Sequence, residues 1–174
     1  PGDVVRIYEI NPLVLDLAHR EFTYIADAPA RVETALGDGR LLLEREAPRK
    51  FDILVMDAFS GDSVPVHLIT REAFRTYFRH LRPGGILAVN ISNRYLDLKP
   101  VVARAARDVG RTALAFDYTA DADDSICFGN TWALVVAPET HRALALIQTG
   151  EVLEPRPGFR AWTDDYSNLL GILK

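Results

Sequence analysis

The chain has 174 residues, of which 48% are hydrophobic and 25% are charged, and its formal net charge at pH 7 is -4. These values are typical of a soluble globular domain with its own core, and the acidic balance argues against general nucleic-acid binding, which needs a basic surface. The single cysteine, Cys127, excludes an internal disulfide and a multi-cysteine metal site, and it is consistent with a reducing, cytoplasmic compartment. No run of about 18 apolar residues occurs, so no membrane span is predicted within the sequence. The start at Pro1, without a Met and directly before a strand, predicts the C-terminal part of a longer protein.

Strands and helices alternate along the sequence. Strands are predicted over residues 4–9, 31–36, 51–57, 86–91, 112–118 and 131–137. Helices are predicted from residue 12 to about 24, over 40–46, after the cap Thr70, over 98–109 and over 140–147. The alternation predicts an α/β fold with a mostly parallel sheet, and the last two strands, which no helix separates, predict an antiparallel pair at one edge. No repeat or domain boundary is evident, so residues 1–174 are predicted to form one domain.

A short apolar run that ends in an acid, residues 51–57, is the central feature of this pattern. Residues 53–56 are all apolar, which is typical of a strand at the centre of a parallel sheet with helices on both faces. Asp57 then follows the carboxyl end of the strand, where open α/β sheets bind their ligands. Two interpretations fit this position: Asp57 points into an active-site crevice, or it caps the next turn or pairs with a base.

Three acids, Glu9, Asp38 and Asp57, follow three successive predicted strands. Because the carboxyl ends of parallel strands share one edge of the sheet, these side chains are expected to converge in one crevice. An acid after the second strand of a nucleotide-binding sheet accepts hydrogen bonds from ribose hydroxyls, which assigns this role to Glu9 if a first strand and its glycine-rich turn lie upstream. Asp38, between Gly37 and Gly39, is open to the approach of a ligand ring and can accept from an exocyclic amine; the alternative is an ordinary turn residue.

Other catalytic motifs are absent from the sequence. It contains no Walker motif, no nucleophile elbow, no glycine-rich phosphate loop and no histidine pair at metal spacing, so no metal is predicted. Of the histidines, His67 alone follows the Asp57 loop and is a candidate neighbour of the site. Near the end of the chain, Asp164 and Asp165 either reach the crevice or form an acid-rich helix N-terminus.

Five short motifs follow one another between residues 8 and 87. They are Tyr8-Glu9-Ile10-Asn11-Pro12, Gly37-Asp38-Gly39-Arg40, Phe51-Asp52-Ile53-Leu54-Val55-Met56-Asp57, Leu68-Ile69-Thr70-Arg71-Glu72-Ala73-Phe74 and Leu81-Arg82-Pro83-Gly84-Gly85-Ile86-Leu87. Their order and spacing resemble the spermidine synthase (polyamine aminopropyltransferase) family. Residues 57–68, 91–96 and 162–168 are more similar to a bacterial branch in which such a domain often follows a multi-span membrane region.

The resemblance implies a Rossmann-like fold of the S-adenosylmethionine-dependent methyltransferase type, here with its first strand missing. It implies that Glu9 holds the ribose of decarboxylated S-adenosylmethionine or a related nucleoside. By the same resemblance Asp38, next to Gly39, holds the adenine amine, and Asp57 orients and deprotonates the attacking amine. A carboxylate suits the last role, because a polyamine nitrogen must lose a proton before it attacks the carbon beside the sulfonium.

The chain departs from the family at the substrate side of the site. Family members usually carry an Asp three residues after the catalytic one, where this chain has Ser60, and the nearest acid is Asp62. Ser60, Asp62 and two residues of the C-terminal stretch, Asp165 and Tyr166, are therefore the predicted substrate-binding residues. The family's glycine-rich first loop and small N-terminal β domain have no counterpart in this sequence.

Three functions are consistent with these observations. The leading hypothesis is a transferase that moves an aminopropyl group from decarboxylated S-adenosylmethionine to a polyamine. The second is a methyltransferase that uses S-adenosylmethionine on the same fold. The third is a non-catalytic, cytosolic domain of a membrane protein that senses a nucleoside or a polyamine. In each case the expected partners are small molecules rather than nucleic acid, and a homodimer is left open.

Overall fold

The computed structural model describes residues 2–58, 65–119, 129–143, 145 and 149–174. The chain divides into two compact units, Pro1–Ala47 and Pro48–Lys174. No helix within the described residues is both long and apolar enough to cross a lipid bilayer.

The first unit contains a pair of parallel strands and two helices. In chain order its elements are β1 (Val4–Glu9), α1 (Pro12–Arg20), β2 (Arg31–Leu36) and α2 (Gly39–Arg45). β1 pairs with β2 in a continuous register from Val4 opposite Arg31 to Glu9 opposite Leu36. Both strands have the predicted bounds, so Glu9 and the Gly37 turn lie at the same edge of this small sheet.

Helix α1 is shorter and more exposed than the sequence predicts. It ends at Arg20 rather than near residue 24, and the Glu21 N–H closes its last turn on Leu17 O at 2.9 Å. Ala18 is its buried residue, whereas Leu13 is 67% exposed. A two-stranded sheet offers too little surface to cover all the apolar residues of the helix, and most of them therefore lie in contact with solvent.

A charged network joins β1, β2 and the end of α2. Arg6 stands opposite Glu33 in the strand register, and its guanidinium bonds to Glu33, Glu46 and the Tyr8 hydroxyl. The Tyr8 hydroxyl in turn donates to Glu46 Oε2 at 2.8 Å. Burial disfavours the charge on Arg6, but the hydrogen bonds to Glu46 and Tyr8 outweigh it and raise the pKa of this guanidinium. The network ties three elements of a unit that has few buried side chains.

The second unit is built on a five-stranded sheet. Its strands are β3 (Phe51–Met56), β4 (Leu81–Asn90), β5 (Thr112–Tyr118), β6 (Asn130–Val136) and β7 (Glu151–Val152), and its helices are α3 (Arg71–His80), α4 (Lys99–Asp108) and α5 (Pro138–Ala143). The spatial order is β3-β4-β6-β5-β7, with β3 and β4 parallel and every other neighbouring pair antiparallel. Consequently β3, β4 and β5 point in one direction and end at one edge.

The predicted antiparallel pair of β5 and β6 is confirmed. The sequence did not indicate that β6 is inserted between β4 and β5, or that β7 pairs with the outer edge of β5. Helix α5 begins at Pro138, before the predicted start at residue 140, and part of the predicted helix over 140–147 lies outside the described residues.

Strand β4 begins earlier than predicted. The Pro83-Gly84-Gly85 segment, expected as a turn before the strand, lies inside it, and the register with β3 jumps from Leu81 opposite Phe51 to Ile86 opposite Ile53. The turn is therefore a bulge. Gly84 has a φ of +77°, and a Cβ on Gly85 would lie 3.0 Å from two carbonyl oxygens, so the bulge requires glycine at both positions.

Strand β3 is an edge strand of the described sheet, not a central one. Its inner neighbour is β4, and Ile53 and Val55 are 58% and 59% exposed. The apolar run predicts a strand with a paired neighbour on each side and helices over both faces. In the described part of this unit, β3 pairs with β4 on one side and has no paired strand on the other.

Helices α3 and α4 both contribute buried side chains to the core of the second unit. The predicted cap of α3 is confirmed, because Thr70 Oγ1 accepts the Ala73 N–H at 3.2 Å. The largest fully buried side chains of the unit include Trp162, Phe74, Ile69, Leu87, Leu98, Leu114, Ile172, Val89, Val101, Val102 and Val135. Each such side chain contributes about 1.5–3 kcal/mol by its burial, so the second unit holds the main hydrophobic core.

Candidate functional site

Asp57 lies where β3 ends, beside the last residue of the neighbouring strand. It follows Met56 directly and is exposed, and Asn90 at the end of β4 donates from Nδ2 to Asp57 Oδ1 at 2.8 Å. The parallel pairing of β3 with β4 brings both residues to the carboxyl edge of the sheet. Within the described residues, Asp57 therefore has an amide partner rather than a base, and its position at the carboxyl edge fits the interpretation as a crevice residue.

The Asn90 side chain is itself held in one orientation. Its Oδ1 accepts the Ser92 N–H at 2.9 Å, which leaves Nδ2 facing Asp57. Ser92 Oγ accepts the Thr131 N–H at 2.8 Å at the start of β6. A chain of hydrogen bonds thus fixes the Asp57 carboxylate against three strands of the sheet.

An ion group continues from this chain toward β7. Thr131 Oγ1 donates to Asp117 Oδ1 at 2.5 Å, and Lys99 Nζ bridges Asp117 Oδ2 at 3.3 Å and Glu151 Oε2 at 2.9 Å. The Thr131 hydroxyl, more than the Lys99 ammonium, lowers the pKa of Asp117, while the hydrogen bond to Glu151 is the largest cause that raises the pKa of Lys99. Lys99 and Asp117 therefore stay charged across the neutral pH range.

A cleft of about 770 Å³ opens beside these residues at the same edge of the sheet. Its walls are polar and come from the ends of β4 and β5, the start of β6 and the end of the chain. They include Ser92, Arg94, Asp117, Asn130, Thr131 and Lys174. Its size suits a small molecule.

The segment that holds Asp164 and Asp165 is a tight hairpin turn. Thr163 and Tyr166 exchange backbone hydrogen bonds of 2.9 and 3.1 Å, and the two acids occupy the turn between them. The two acids therefore lie in a hairpin turn, and the interpretation as an acid-rich helix N-terminus is wrong. Asp165 is exposed, and the Arg160 guanidinium lies 3.8 Å above the Tyr166 ring.

In the first unit, Glu9 and Asp38 lie at the ends of the paired strands β1 and β2. Glu9 Oε1 accepts the Asn11 N–H at 2.8 Å, and the Gly37 N–H donates to Glu9 O at 2.8 Å. Asp38 caps α2 by accepting the Leu41 N–H at 2.9 Å. It therefore has the structural role that the alternative interpretation, an ordinary turn residue, assigns to it. The convergence of Glu9, Asp38 and Asp57 in one crevice stays a prediction.

Gly39 stands at a close approach within the first unit. A Cβ at this position would lie 3.3 Å from Tyr8 Cβ, so a side chain here would press against β1. The contact with β1 therefore requires a small residue at the start of α2, next to Asp38, whether or not a ligand binds at that edge.

Four predicted or considered residues have other outcomes. Ser60 and Asp62, together with Cys127, lie outside the described residues. His67 lies exposed in the 3-10 turn Val66–Leu68. No group of three His, Cys, Asp or Glu side chains within the described ranges is arranged to hold a metal ion.

The sequence reasoning missed Asn90, Ser92, Thr131, Lys99 and Asp117. Asn90 carries the signal used for Asp57, a polar residue that ends an apolar strand, and that rule could have selected it. The contact between Ser92 and Thr131 depends on the placement of β6 next to β4, and the contacts of Lys99 with Asp117 and Glu151 depend on where α4, β5 and β7 meet. No local pattern indicates either arrangement.

The chain is similar to curated aminopropyltransferases. It is 35% identical over 92 residues to a polyamine aminopropyltransferase of Vibrio vulnificus (strain CMCP6), a match that covers 52% of this chain and 30% of that protein. It is 28% identical over 152 residues to a polyamine aminopropyltransferase of Nitrosomonas europaea, covering 83% and 44%. It is also 25% identical over 120 residues to putrescine N-methyltransferase 3 of Nicotiana tabacum, covering 66% and 31%. The chain spans less than half the length of each of these relatives, and no family model matches it.

Solved structures show the fold. A probable spermidine synthase from Corynebacterium glutamicum ATCC 13032 matches 95% of this chain with a TM-score of 0.61 at 19% identity, over 74% of its own length. Human methyltransferase-like protein 13 in complex with SAH matches 94% of the chain with a TM-score of 0.58 at 19% identity, over 75% of its own length. The predicted Rossmann-like, methyltransferase-type fold is confirmed by these neighbours. The resemblance to the spermidine synthase (polyamine aminopropyltransferase) family that the motifs carry is confirmed by the similarity to these curated relatives.

Proposed function

We propose that this chain carries the catalytic carboxylate, which acts as a general base, and the nucleoside-binding residues of a polyamine aminopropyltransferase. The observation that carries the proposal is the Asp57 carboxylate at the carboxyl end of β3, with Asn90 bonded to one of its oxygens at 2.8 Å. This is the edge at which α/β sheets bind ligands, and similarity to aminopropyltransferases supports the choice of reaction.

The chemistry requires a group that accepts a proton from a cationic amine. The ammonium first gives a proton to Asp57. The freed amine lone pair then attacks the methylene carbon beside the sulfonium, and the carbon–sulfur bond breaks with its electrons on sulfur. The fixed Asn90 amide occupies Asp57 Oδ1, so Oδ2 is the oxygen assigned to the amine. General base catalysis of this type contributes about 10²–10⁴-fold to the rate.

The nucleoside side of the proposal rests on the first unit. Glu9 Oε1 is used by the Asn11 N–H, and Oε2 has no hydrogen bond within the described residues. Glu9 is assigned to the ribose hydroxyls of decarboxylated S-adenosylmethionine. Asp38, next to Gly39, is assigned to the adenine amine in addition to its role as the cap of α2.

A second candidate is N-methyl transfer to the amine from S-adenosylmethionine. Similarity to a putrescine N-methyltransferase favours it as the alternative, because that protein acts on a related amine. The two reactions share the amine and the base and differ in the group that sulfur releases. The co-substrate that binds therefore separates them.

Calorimetry of the full-length protein tests the proposal. Decarboxylated S-adenosylmethionine, S-adenosylmethionine and methylthioadenosine are titrated first, followed by putrescine, and aminopropyl transfer is measured with the first. We expect the decarboxylated form to bind more tightly than S-adenosylmethionine and Asp57→Asn to lose about 10²–10⁴-fold in transfer rate. Preference for S-adenosylmethionine favours methyl transfer, and binding without either reaction favours a sensing domain.

Asp52→Asn is the matched control. Asp52 lies near the opposite end of β3, is exposed and forms a surface ion pair with Arg82. The variant removes one carboxylate from the same strand, and we expect its transfer rate to equal that of the wild type. An unchanged rate in Asp57→Asn rules out the proposed base.

A further inference from the structure

The cleft beside Asn90 is bordered by two positive side chains. Arg94 and Lys174 both lie in the wall of this space of about 770 Å³. The same wall includes Ser92, whose N–H donates to Asn90 Oδ1 at 2.9 Å. The wall of the cleft is thus one hydrogen bond away from the residue that orients Asp57.

Hydrogen bonds fix the backbone from which these two charges project. The Lys174 N–H donates to Tyr95 O at 2.9 Å. Asn93 Oδ1 accepts the N–H groups of Tyr95 and Leu96 at 2.9 and 2.8 Å, so Arg94 lies inside a closed turn. A fixed backbone lowers the entropy that is lost when side chains bind a ligand.

The two cations have donors to spare. Arg94 is exposed and makes no hydrogen bond or ion pair within the described residues. Its guanidinium stands 5.6 Å from the centre of the Tyr95 ring, a cation–π contact that involves no acid and leaves the planar fork of N–H groups for a carboxylate. Lys174 Nζ donates to the carbonyl oxygen of Asn93 at 2.6 Å, and an ammonium has two further donors.

The acid in the described wall of the cleft already has its own partners. Asp117 Oδ1 accepts the Thr131 hydroxyl at 2.5 Å, and Oδ2 accepts from Lys99 Nζ at 3.3 Å. The charges of Arg94 and Lys174 are therefore not compensated by an acid in contact with them. Although the chain as a whole has a net charge of -4, this part of the cleft attracts an anion.

A second cavity of about 430 Å³ adjoins the cleft. The two spaces share four wall residues, which are Ile91, Asp117, Thr131 and Lys174. Three leucines also border the second cavity, namely Leu96, Leu98 and Leu173. A ligand with a short aliphatic chain therefore meets apolar side chains next to the cations, contacts that an inorganic anion does not use.

We propose that Arg94 and Lys174 form a subsite that binds a small aliphatic carboxylate. The Arg94 fork holds both carboxylate oxygens, Lys174 adds a second positive charge, and the chain of the ligand lies against the leucines of the second cavity. The carboxylate belongs either to an acceptor that has its amine at the other end or to a separate ligand. The subsite goes beyond the proposed function, since its binding requires neither the nucleoside nor the transfer reaction.

Calorimetry of the full-length protein with butyrate tests the subsite. The variants are Arg94→Gln and Lys174→Gln. Arg75→Gln is the matched control, because Arg75 is an exposed residue of α3 outside both cavities. We expect each cleft variant to bind butyrate about tenfold more weakly, since a charge-assisted contact is lost, and the control to bind as the wild type does. Equal binding in wild type and Arg94→Gln, or an equal loss in Arg75→Gln, overturns the proposal.

Three further probes test the chemistry of the ligand in the wild type. Butyramide is the neutral counterpart of butyrate, whereas acetate and inorganic phosphate are anions without the chain. We expect each to bind at least about fivefold more weakly than butyrate, because one lacks the charge and the others lack the apolar contacts. A probe that binds as tightly as butyrate refutes a site for an aliphatic carboxylate.

The amino acid γ-aminobutyrate identifies the source of the carboxylate. Aminopropyl transfer to it, with a KM that rises in Arg94→Gln, assigns the subsite to the acceptor. Butyrate binding that depends on Arg94, without such transfer, assigns the subsite to a separate ligand. If no amine at all is aminopropylated, that binding still supports the subsite while the transferase is refuted. Transfer to putrescine by a protein that binds no butyrate supports the transferase and refutes the subsite.

Discussion

Asn90 donates a hydrogen bond of 2.8 Å to Asp57, and its own carbonyl oxygen is fixed by the Ser92 N–H. The carboxylate is thereby oriented by a residue of the neighbouring strand. Asn90→Leu keeps the approximate volume but removes the donor, and a hydrogen bond to a charged group contributes about 1.5–3 kcal/mol. We expect a loss of about 10–100-fold in kcat for aminopropyl transfer, measured by steady-state kinetics. A wild-type rate in this variant would show that Asp57 needs no such support.

Lys99 links α4 to Asp117 of β5 and Glu151 of β7. Its folded pKa is raised, so its contribution to stability is complete below its ordinary pKa and is lost as the pH rises through the folded value. The pKa of Asp117 is lowered, so its contribution is lost as the pH falls through that value. All three side chains are at least a third exposed, and Lys99→Met should therefore cost about 1 kcal/mol or less.

The measurement for this ion group is calorimetric unfolding at low and at high salt. Screening weakens exposed ion pairs, so the difference between wild type and Lys99→Met should shrink as salt is added. An equal difference at both salt concentrations would assign the effect of the variant to lost packing of the lysine stem.

Tyr8 is expected to titrate above the ordinary pKa of a tyrosine hydroxyl. Burial, followed by its hydrogen bond to Glu46, raises the pKa of this hydroxyl. Its contribution to stability is present below its ordinary pKa and is lost as the pH rises through the folded value. The difference in absorbance titration between wild type and Tyr8→Phe should therefore have its midpoint above about pH 10. A midpoint at or below that pH would contradict the hydrogen-bonded network around Arg6.

Gly85 occupies the bulge at the start of β4. A Cβ there would stand 3.0 Å from the carbonyl oxygens of Arg82 and Phe51, both of them backbone atoms that cannot rotate away. Gly85→Ala should lower the free energy of unfolding by about 1–3 kcal/mol, the usual cost of overpacking. Gly171→Ala is the control, because its Cβ would meet the side chain of Asn168, which can move. Equal unfolding midpoints of the two variants in urea would show that the bulge relaxes.

Local sequence patterns predicted the elements well where caps and composition agree. Val4–Glu9 and Arg31–Leu36 have the predicted bounds, and Thr70 caps α3 as its position before a helical stripe indicates. The position of Asp57 after β3 followed from the same kind of reasoning. These features depend on residues near one another in sequence, which short patterns encode directly.

The partners of the candidate site could not be predicted in the same way. The hydrogen bond from Asn90 to Asp57 spans 33 residues, that from Lys99 to Glu151 spans 52, and that from Thr70 to Asp164 spans 94. Each depends on which strands or turns become neighbours, and strand order is not encoded in the period of any single segment. The bulge in β4 could not be predicted for the same reason. The composition of Pro83-Gly84-Gly85 indicates a turn, whereas pairing with β3 places this segment inside the strand.

The insertion of β6 between β4 and β5 has a consequence for synthesis on the ribosome. Residues 130–136 emerge after both of the strands that they join, so the β4 and β5 edges facing the gap remain unpaired until then. At about 5–20 residues per second, the interval between the end of β4 and the start of β6 lasts roughly 2–8 s. During that time the nascent chain presents the open edge of β4 and, once residue 118 has been added, that of β5 as well. Open strand edges are sites where chains associate wrongly. A chaperone that shields nascent strands would therefore act on this protein before residue 130 is made.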